Sequence, residues 1–310
     1  MLLDAGAPAL RSALQPAPRL RPVPRVAPSY RRVDSEYGTL RSVLLADPRH
    51  LALVPCNAVS EQSIAEGRAP CSERSVRQHA GLVGALRSEG VEVRLVPADT
   101  GLPDLAFTRD TSLMTPWGLL GLLPGAAHRV REVDAVLAAA GGPSIGRIER
   151  GRAEGGDVHM IRPGTLVIGI SGDRTDEAGA AALGDIYRRH GWDVIPYRFD
   201  PVHLHLDTLF CTVDRNLAVA CIDMLEPDFV RRIEALGIEL LPVSHRDARR
   251  LGCNLLSLGN KRVVTAGTCS SVDAALAVRG YRSIAVDLSE FTMCGGGVHC
   301  LTMPLKRDPA

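Results

Sequence analysis

From Val33 onward, short β-rich runs alternate with helical stretches, and this alternation constrains the fold more than any other feature of the chain. The β-rich runs fall at 42–45, 91–96, 166–170, 216–222, 238–243, 262–266 and 283–288. Between them, 75–88 carries Val76, Ala80, Val83 and Leu86 at helical spacing, and 132–140, 176–191 and the shorter 246–251 read the same way. The expected class is α/β. Acid-bearing turns at Asp110, Asp157 and Asp207 are separated by strand–helix–strand units, a period of about 50 residues that suits radial or stacked architectures.

Charge and composition exclude several functions. The chain of 310 residues has 36 basic against 35 acidic side chains, so it lacks the electrostatic footprint of a nucleic-acid binder. Its only lysines are Lys261 and Lys306, and the arginines are scattered rather than gathered into a patch. No run of about 18 apolar residues offers a membrane-spanning helix. No glycine-rich loop has dinucleotide or phosphate-loop form, since Gly295-Gly296-Gly297 leads to Val-His-Cys.

Residues 1–32 hold six prolines, six arginines and one acid, a composition that predicts a disordered tail ahead of one catalytic domain over 33–310. The eight cysteines include no Cys-x-x-Cys pair, and several lie in apolar runs, as Cys211 and Cys221 do. Free thiols in a reducing cytoplasm are expected, and the cysteines and histidines show no zinc-ligand spacing.

Four segments concentrate polar groups in apolar or glycine-rich settings. Asp110 closes Phe107-Thr108-Arg109-Asp110, where a turn or cap is the plain alternative. Glu154 and Asp157 flank two glycines, an arrangement that serves a tight loop or lets two acids converge on one cation. In His203-Leu204-His205-Leu206-Asp207, strand alternation would put His203, His205 and Asp207 on one face. Cys294-Gly295-Gly296-Gly297-Val298-His299-Cys300 brings a thiol behind glycines that let a ligand approach the backbone closely; Cys300 is favoured over Cys294 because it follows the glycines and precedes a strand-like run. A thiolate, a histidine and several carboxylates suit a planar, permanently charged guanidinium, which carboxylates grip by paired hydrogen bonds.

PDLAFTRD at 103–110, EGGD at 154–157, HLDT at 205–208 and GGGVHCLTMPLKR at 295–307, in that order, resemble the guanidino-group-modifying superfamily of arginine deiminases, dimethylarginine dimethylaminohydrolases, arginine dihydrolases and amidinotransferases. The resemblance spans roughly 35–307. It implies a five-bladed α/β propeller, the pentein fold, of pseudo-symmetric ββαβ units around a polar channel.

It also implies roles. Cys300 would be the nucleophile, His205 the general acid and base, and Glu154 the carboxylate holding the guanidinium near the histidine. Asp110 and Asp207 would clamp its outer nitrogens. Arg174 would receive the substrate carboxylate, with Arg129 as a second such arginine unless Arg131 serves instead; Asp157 and His299 would support. The implied reaction is covalent hydrolysis of arginine or an Nω-substituted arginine to citrulline, through an S-alkylthiouronium, on a small-molecule guanidino substrate. Neither metal nor organic cofactor is expected, and a homodimer is compatible with it.

The Met-Pro-Leu after Cys300 is similar to the arginine deiminase ending, but 110–154 is too short for the helical subdomain of bacterial deiminases. Amidinotransferase and arginine dihydrolase chemistry remain open, the latter through Asn57, as does a silent protein that only binds a cation.

Overall fold

A parallel pair of strands needs a crossover connection, usually a helix, whereas an antiparallel pair closes with a tight turn. The chain alternates these two solutions around a ring. A computed structural model describes residues 32–310; of the tail expected over 1–32, all but Arg32 lies outside the described residues.

The first blade holds β1 (Leu40–Ala46), α1 (Ala58–Ala65), α2 (Ser72–Ser88) and β2 (Glu92–Val96), with β2 parallel to β1. The second is β3 (Ser112–Thr115), β4 (Gly118–Gly121), α3 (Glu132–Ala140) and β5 (Ser144–Arg147). The third is β6 (Val158–Arg162), β7 (Thr165–Ile170), α4 (Glu177–Arg188) and β8 (Asp193–Arg198). The fourth is β9 (Phe210–Asp214), β10 (Leu217–Ala220), α5 (Pro227–Ala235) and β11 (Glu239–Pro242). After the one-turn α6 (His245–Ala248), the fifth is β12 (Leu256–Gly259), β13 (Arg262–Thr265), α7 (Ser270–Val278) and β14 (Arg282–Ala285).

A short α8 (Ser289–Thr292) then leads to β15 (Met303–Arg307), which returns to pair antiparallel with β1 (Leu44 opposite Met303, Val43 opposite Pro304). The last strand thus completes the first blade. Each sheet has three strands, an antiparallel inner pair and a parallel outer pair. β15 neighbours β3, the turns at 108–111 and 155–157 meet, β6 neighbours β9, β9 neighbours β12, and β12 neighbours β1, so the ring of five blades closes.

The middle strands β4, β7 and β10 are buried along their whole length, which explains their unbroken apolar text. α4 starts where Asp176 accepts a hydrogen bond from Gly179 N (2.8 Å), and α5 starts on Pro227. The run at 132–140 is the observed α3, and 176–191 shortens to α4. The helix expected over 246–251 shrinks to one turn, because Leu251 turns left-handed (φ 64°).

One expectation fails outright. Residues 203–208 form no strand. The chain turns at 201–204 and then enters a 3₁₀ turn, Leu206–Thr208, so His203 does not share a face with His205 and Asp207. His205 and Asp207 are buried, while His203 is half-buried outside the site.

The ring has a consistent centre. Asp110, Asp157 and Asp207 each lie in a 3₁₀ turn ahead of an inner strand, β3, β6 and β9. Asn254 stands ahead of β12, and Cys300 ahead of β15. The acid-bearing repeat seen in the sequence therefore continues through Asn254 to Cys300.

Candidate active site

Cys300 sits on the turn before β15, almost fully buried. Its carbonyl accepts from Arg109 N (3.1 Å), which ties it to the 3₁₀ turn that carries Asp110. Its Sγ lies 3.4 Å from Asp207 Oδ2 and 3.2 Å from Asn254 Nδ2. Burial, then the negative charges of Asp207 and Asp110, push the thiol well above its ordinary pKa.

Cys300 and His205 line one hollow, together with Cys56, Asp110, Arg129 and Arg174. His205 Nε2 is 2.6 Å from Glu154 Oε2 and its Nδ1 3.7 Å from Asp110 Oδ1. Burial alone would lower its pKa, but Asp110, Glu154 and Asp157 push it up to about 10. Glu154 is the reciprocal case. Burial would raise it, yet the His205 hydrogen bond and charge, with Arg174 and Arg129, hold its carboxyl well below the usual range. Glu154 Oε1 also accepts from Gly125 N (2.7 Å). The two shifts run in opposite directions, and both favour an imidazolium–carboxylate pair.

Asp110 accepts from Gly156 N (3.1 Å) and from Arg129 Nη1 (2.7 Å). Asp207 Oδ2 pairs with His299 Nδ1 (2.8 Å), and its Oδ1 is buried without a partner. Burial would raise Asp207, but His299 holds it below its ordinary value. Asp157 accepts from Leu206 N (2.9 Å) and so fixes the turn beside His205; burial pushes it up to about 7.

The two expected carboxylate-binding arginines differ. Arg174 edges the hollow, 3.4 Å from Glu154 Oε2, with Nη2 donating to Cys56 O (2.5 Å). Arg129 has every nitrogen committed, to Glu132 (3.0 Å), Asp110 (2.7 Å) and Phe107 O (2.8 Å). Its geometry offers a brace for Asp110 rather than a receptor for a carboxylate, and Arg131 is exposed outside the hollow.

The glycines make this density possible. A Cβ on Gly156 would stand 2.7 Å from His205 Cγ, one on Gly155 would stand 2.1 Å from Arg109 O, and one on Gly296 would stand 2.2 Å from Phe107 Cε1. Gly156→Ala is therefore expected to displace the imidazole and to lower kcat about 100-fold or more, with far-UV circular dichroism unchanged. Full activity in that variant would show that the close packing against His205 is unimportant.

Among the described residues, three groups bring possible metal-ligand atoms within 4.8 Å of one another. In Asp110, Glu154 and His205, the acids already face His205, Arg129 and Arg174. In Cys56, Asp104 and His128, the acid is bonded to the histidine at 2.7 Å. His159, Cys211 and His299 lie in a deeper polar core with Glu36, Arg109 and Arg307, where the two guanidinium charges work against a cation.

Reading the sequence missed Asn254 and this deeper core. The spacing from Asp110 through Asp157 and Asp207 to Cys300 carried a signal for Asn254, because it falls in step with them. Nothing comparable marked Glu36, Arg109 or His159. Asn57, considered for dihydrolase chemistry, lines the hollow, but its amide is occupied. Oδ1 accepts from Val59 N (3.0 Å) and Ser60 N (2.9 Å), and Nδ2 donates to Cys294 O (3.1 Å).

Residues 148–307 match the family described as N,N dimethylarginine dimethylhydrolase, eukaryotic. The chain is 31% identical over 277 residues to the uncharacterized protein YkgA of Bacillus subtilis, covering 88% of this chain and 94% of that one. It is 29% identical over 250 residues to an arginine deiminase of Mycobacterium tuberculosis, covering 67% of this chain and 61% of the deiminase. Its fold matches a solved structure of the dimethylarginine dimethylaminohydrolase of Pseudomonas aeruginosa, a Cys→Ser mutant complexed with citrulline. The TM-score is 0.70 at 26% identity, over 86% of this chain and 99% of that one.

Proposed function

The chain belongs to the dimethylarginine dimethylaminohydrolase family of guanidino-group-modifying enzymes, and from that premise we propose that residues 33–310 form one catalytic domain that hydrolyses the guanidinium of arginine or an Nω-substituted arginine to citrulline, with release of ammonia or an alkylamine. The observation that carries this reading is the hollow itself, which Cys300 and His205 both line, with Glu154 bonded to the far side of His205 at 2.6 Å. A nucleophile and a proton donor thus face one carboxylate-edged space.

In the proposed reaction, the guanidinium docks against Asp110 and Asp207, and Arg174 takes the substrate carboxylate. Burial and then the charges of Asp207 and Asp110 hold the Cys300 proton; the arriving cation offsets those charges, so binding promotes the thiolate and its proton leaves to solvent. The thiolate adds to the guanidinium carbon. His205 protonates the departing nitrogen, and collapse leaves an S-alkylthiouronium on Cys300. His205, now neutral, takes a proton from water, and the resulting hydroxide adds to the same carbon. The carbon–sulfur bond breaks, citrulline leaves, and the thiolate is regenerated. These steps use only side chains and water.

The occupied Asn57 amide favours a reaction that stops at the ureido product over an arginine dihydrolase that continues to ornithine. Incubation with arginine and with mono- and dimethylarginine, followed by assay of citrulline, ammonia, alkylamine and ornithine, tests the proposal. Citrulline with stoichiometric amine from at least one of the three is expected. Amidino transfer to added glycine with release of ornithine would replace hydrolysis by transfer, and no product from any substrate would reject both.

A further inference from the structure

Cys300 Sγ has poor surroundings for a thiolate. It is enclosed, and Asp207 Oδ2 is 3.4 Å away. One side-chain N–H among the described residues is aimed at it, that of Asn254 Nδ2 at 3.2 Å. The orientation of this amide is fixed from its other end, because Oδ1 accepts from His299 N (2.9 Å), leaving the NH₂ group to face the sulfur. Asn254 is 1% exposed, so its amide approaches the sulfur from the packed interior. Its seat is made to measure. A Cβ on Gly297 would stand 2.5 Å from Asn254 Oδ1, so the third glycine before the thiol is the space this amide occupies.

We propose that Asn254 stabilises the working thiolate: Nδ2–H donates to Cys300 Sγ while the sulfur is negative, and Oδ1 holds the His299 backbone that delivers Cys300 to the hollow. The proposal rests on the reading of Cys300 as nucleophile. A hydrogen bond to the charged form favours that form, so the same N–H raises the thiolate population before attack and stabilises the sulfur again when it departs from the thiouronium. No proton moves to or from Asn254.

The test is the pH dependence of Cys300 alkylation by iodoacetamide, read on the Cys300 peptide by mass spectrometry, in the native protein, Asn254→Asp and Asn254→Ala. The aspartate is isosteric and keeps the acceptor for His299 N while losing the donor to sulfur; the alanine loses both without adding charge. In both variants the alkylation midpoint is expected to rise by about one to two pH units, the span of a hydrogen bond to a charged group. kcat is expected to fall about tenfold or more, with KM for the guanidino substrate changed less than about threefold. A purely structural role would leave the midpoint in place. An unchanged midpoint in either variant with native circular dichroism overturns the inference and leaves the nucleophile reading standing. Turnover that survives Cys300→Ser overturns both.

Discussion

Cys300→Ser is expected to lower kcat by about 10⁴-fold or more while the protein still binds its substrate. A serine hydroxyl keeps the acceptor for Asn254 and adds no bulk to a fully packed turn, so the fold and the carboxylates around the hollow are undisturbed. It cannot ionise under the same influence. The guanidinium carbon is resonance-stabilised and needs a strong nucleophile, and a hydroxyl with no base at its own position does not provide one. Calorimetric titration of this variant with the substrate identified by the product panel is expected to give a Kd near the native KM. Loss of binding together with turnover would mean that the sulfur holds the substrate rather than reacting with it.

Glu154→Gln has the second largest expected effect, a fall in kcat of about 10² to 10⁴, the range for a disabled general acid and base. The sign of its pH effect follows from the pair. Burial alone would depress His205; the negative charges of Asp110, Glu154 and Asp157 raise it from 6.5 to about 10. Neutralising Glu154 withdraws part of that support, so the His205 pKa falls and the alkaline limb of kcat/KM moves to lower pH. Stability changes in the same sense. Because the folded pKa of His205 lies above its unfolded value, its pairing stabilises the native protein fully below about pH 6.5 and loses that effect as pH rises towards 10. The depressed Glu154 carboxyl contributes above its ordinary 4.5 and loses its contribution as pH falls below it. Thermal unfolding across this range is expected to show both slopes in the native protein; in the variant the acid slope is lost and the alkaline one, still supported by Asp110 and Asp157, is reduced. An unchanged alkaline limb would remove His205 as the titrating acid.

How much of this was legible in the sequence depends on which strand of a blade is considered. The middle strands are buried on both faces and read as apolar runs, as Leu166–Ile170 within β7 does. The outer strands show their half-burial, as in Glu239-Leu240-Leu241-Pro242. The inner strands are four or five residues long and mix polar with apolar residues, as Val-His-Met-Ile-Arg in β6 and Leu-Ser-Leu-Gly in β12 do. They face a polar centre, so no binary pattern betrays them, and only β15, as the strand-like run after Cys300, was anticipated. The same cause produced the wrong strand at 203–207, where alternating polar residues are set by a 3₁₀ turn.

The candidate site was more legible than its framework, because glycines beside acids and a thiol are rare enough to be noticed as a set. What stayed hidden is the support behind them. Asn254 is a lone amide in a cysteine- and leucine-rich stretch; its spacing falls in step with Asp110, Asp157, Asp207 and Cys300, but only the fold shows that it reaches the sulfur. The commitment of Arg129 to Asp110 and Glu132, 3 residues away on α3 in the latter case, also needed the fold.

The central claim is that Cys300 carries the guanidino carbon through a covalent intermediate. Acid quenching of the enzyme during turnover of arginine, followed by peptide mass mapping, tests it directly. The expected result is a fraction of the Cys300 peptide heavier by arginine less ammonia, with the amino-acid portion retained, as hydrolysis requires. An added amidino group alone would signal transfer with ornithine leaving first, and a Cys300 peptide that stays unmodified while citrulline accumulates would contradict the covalent account.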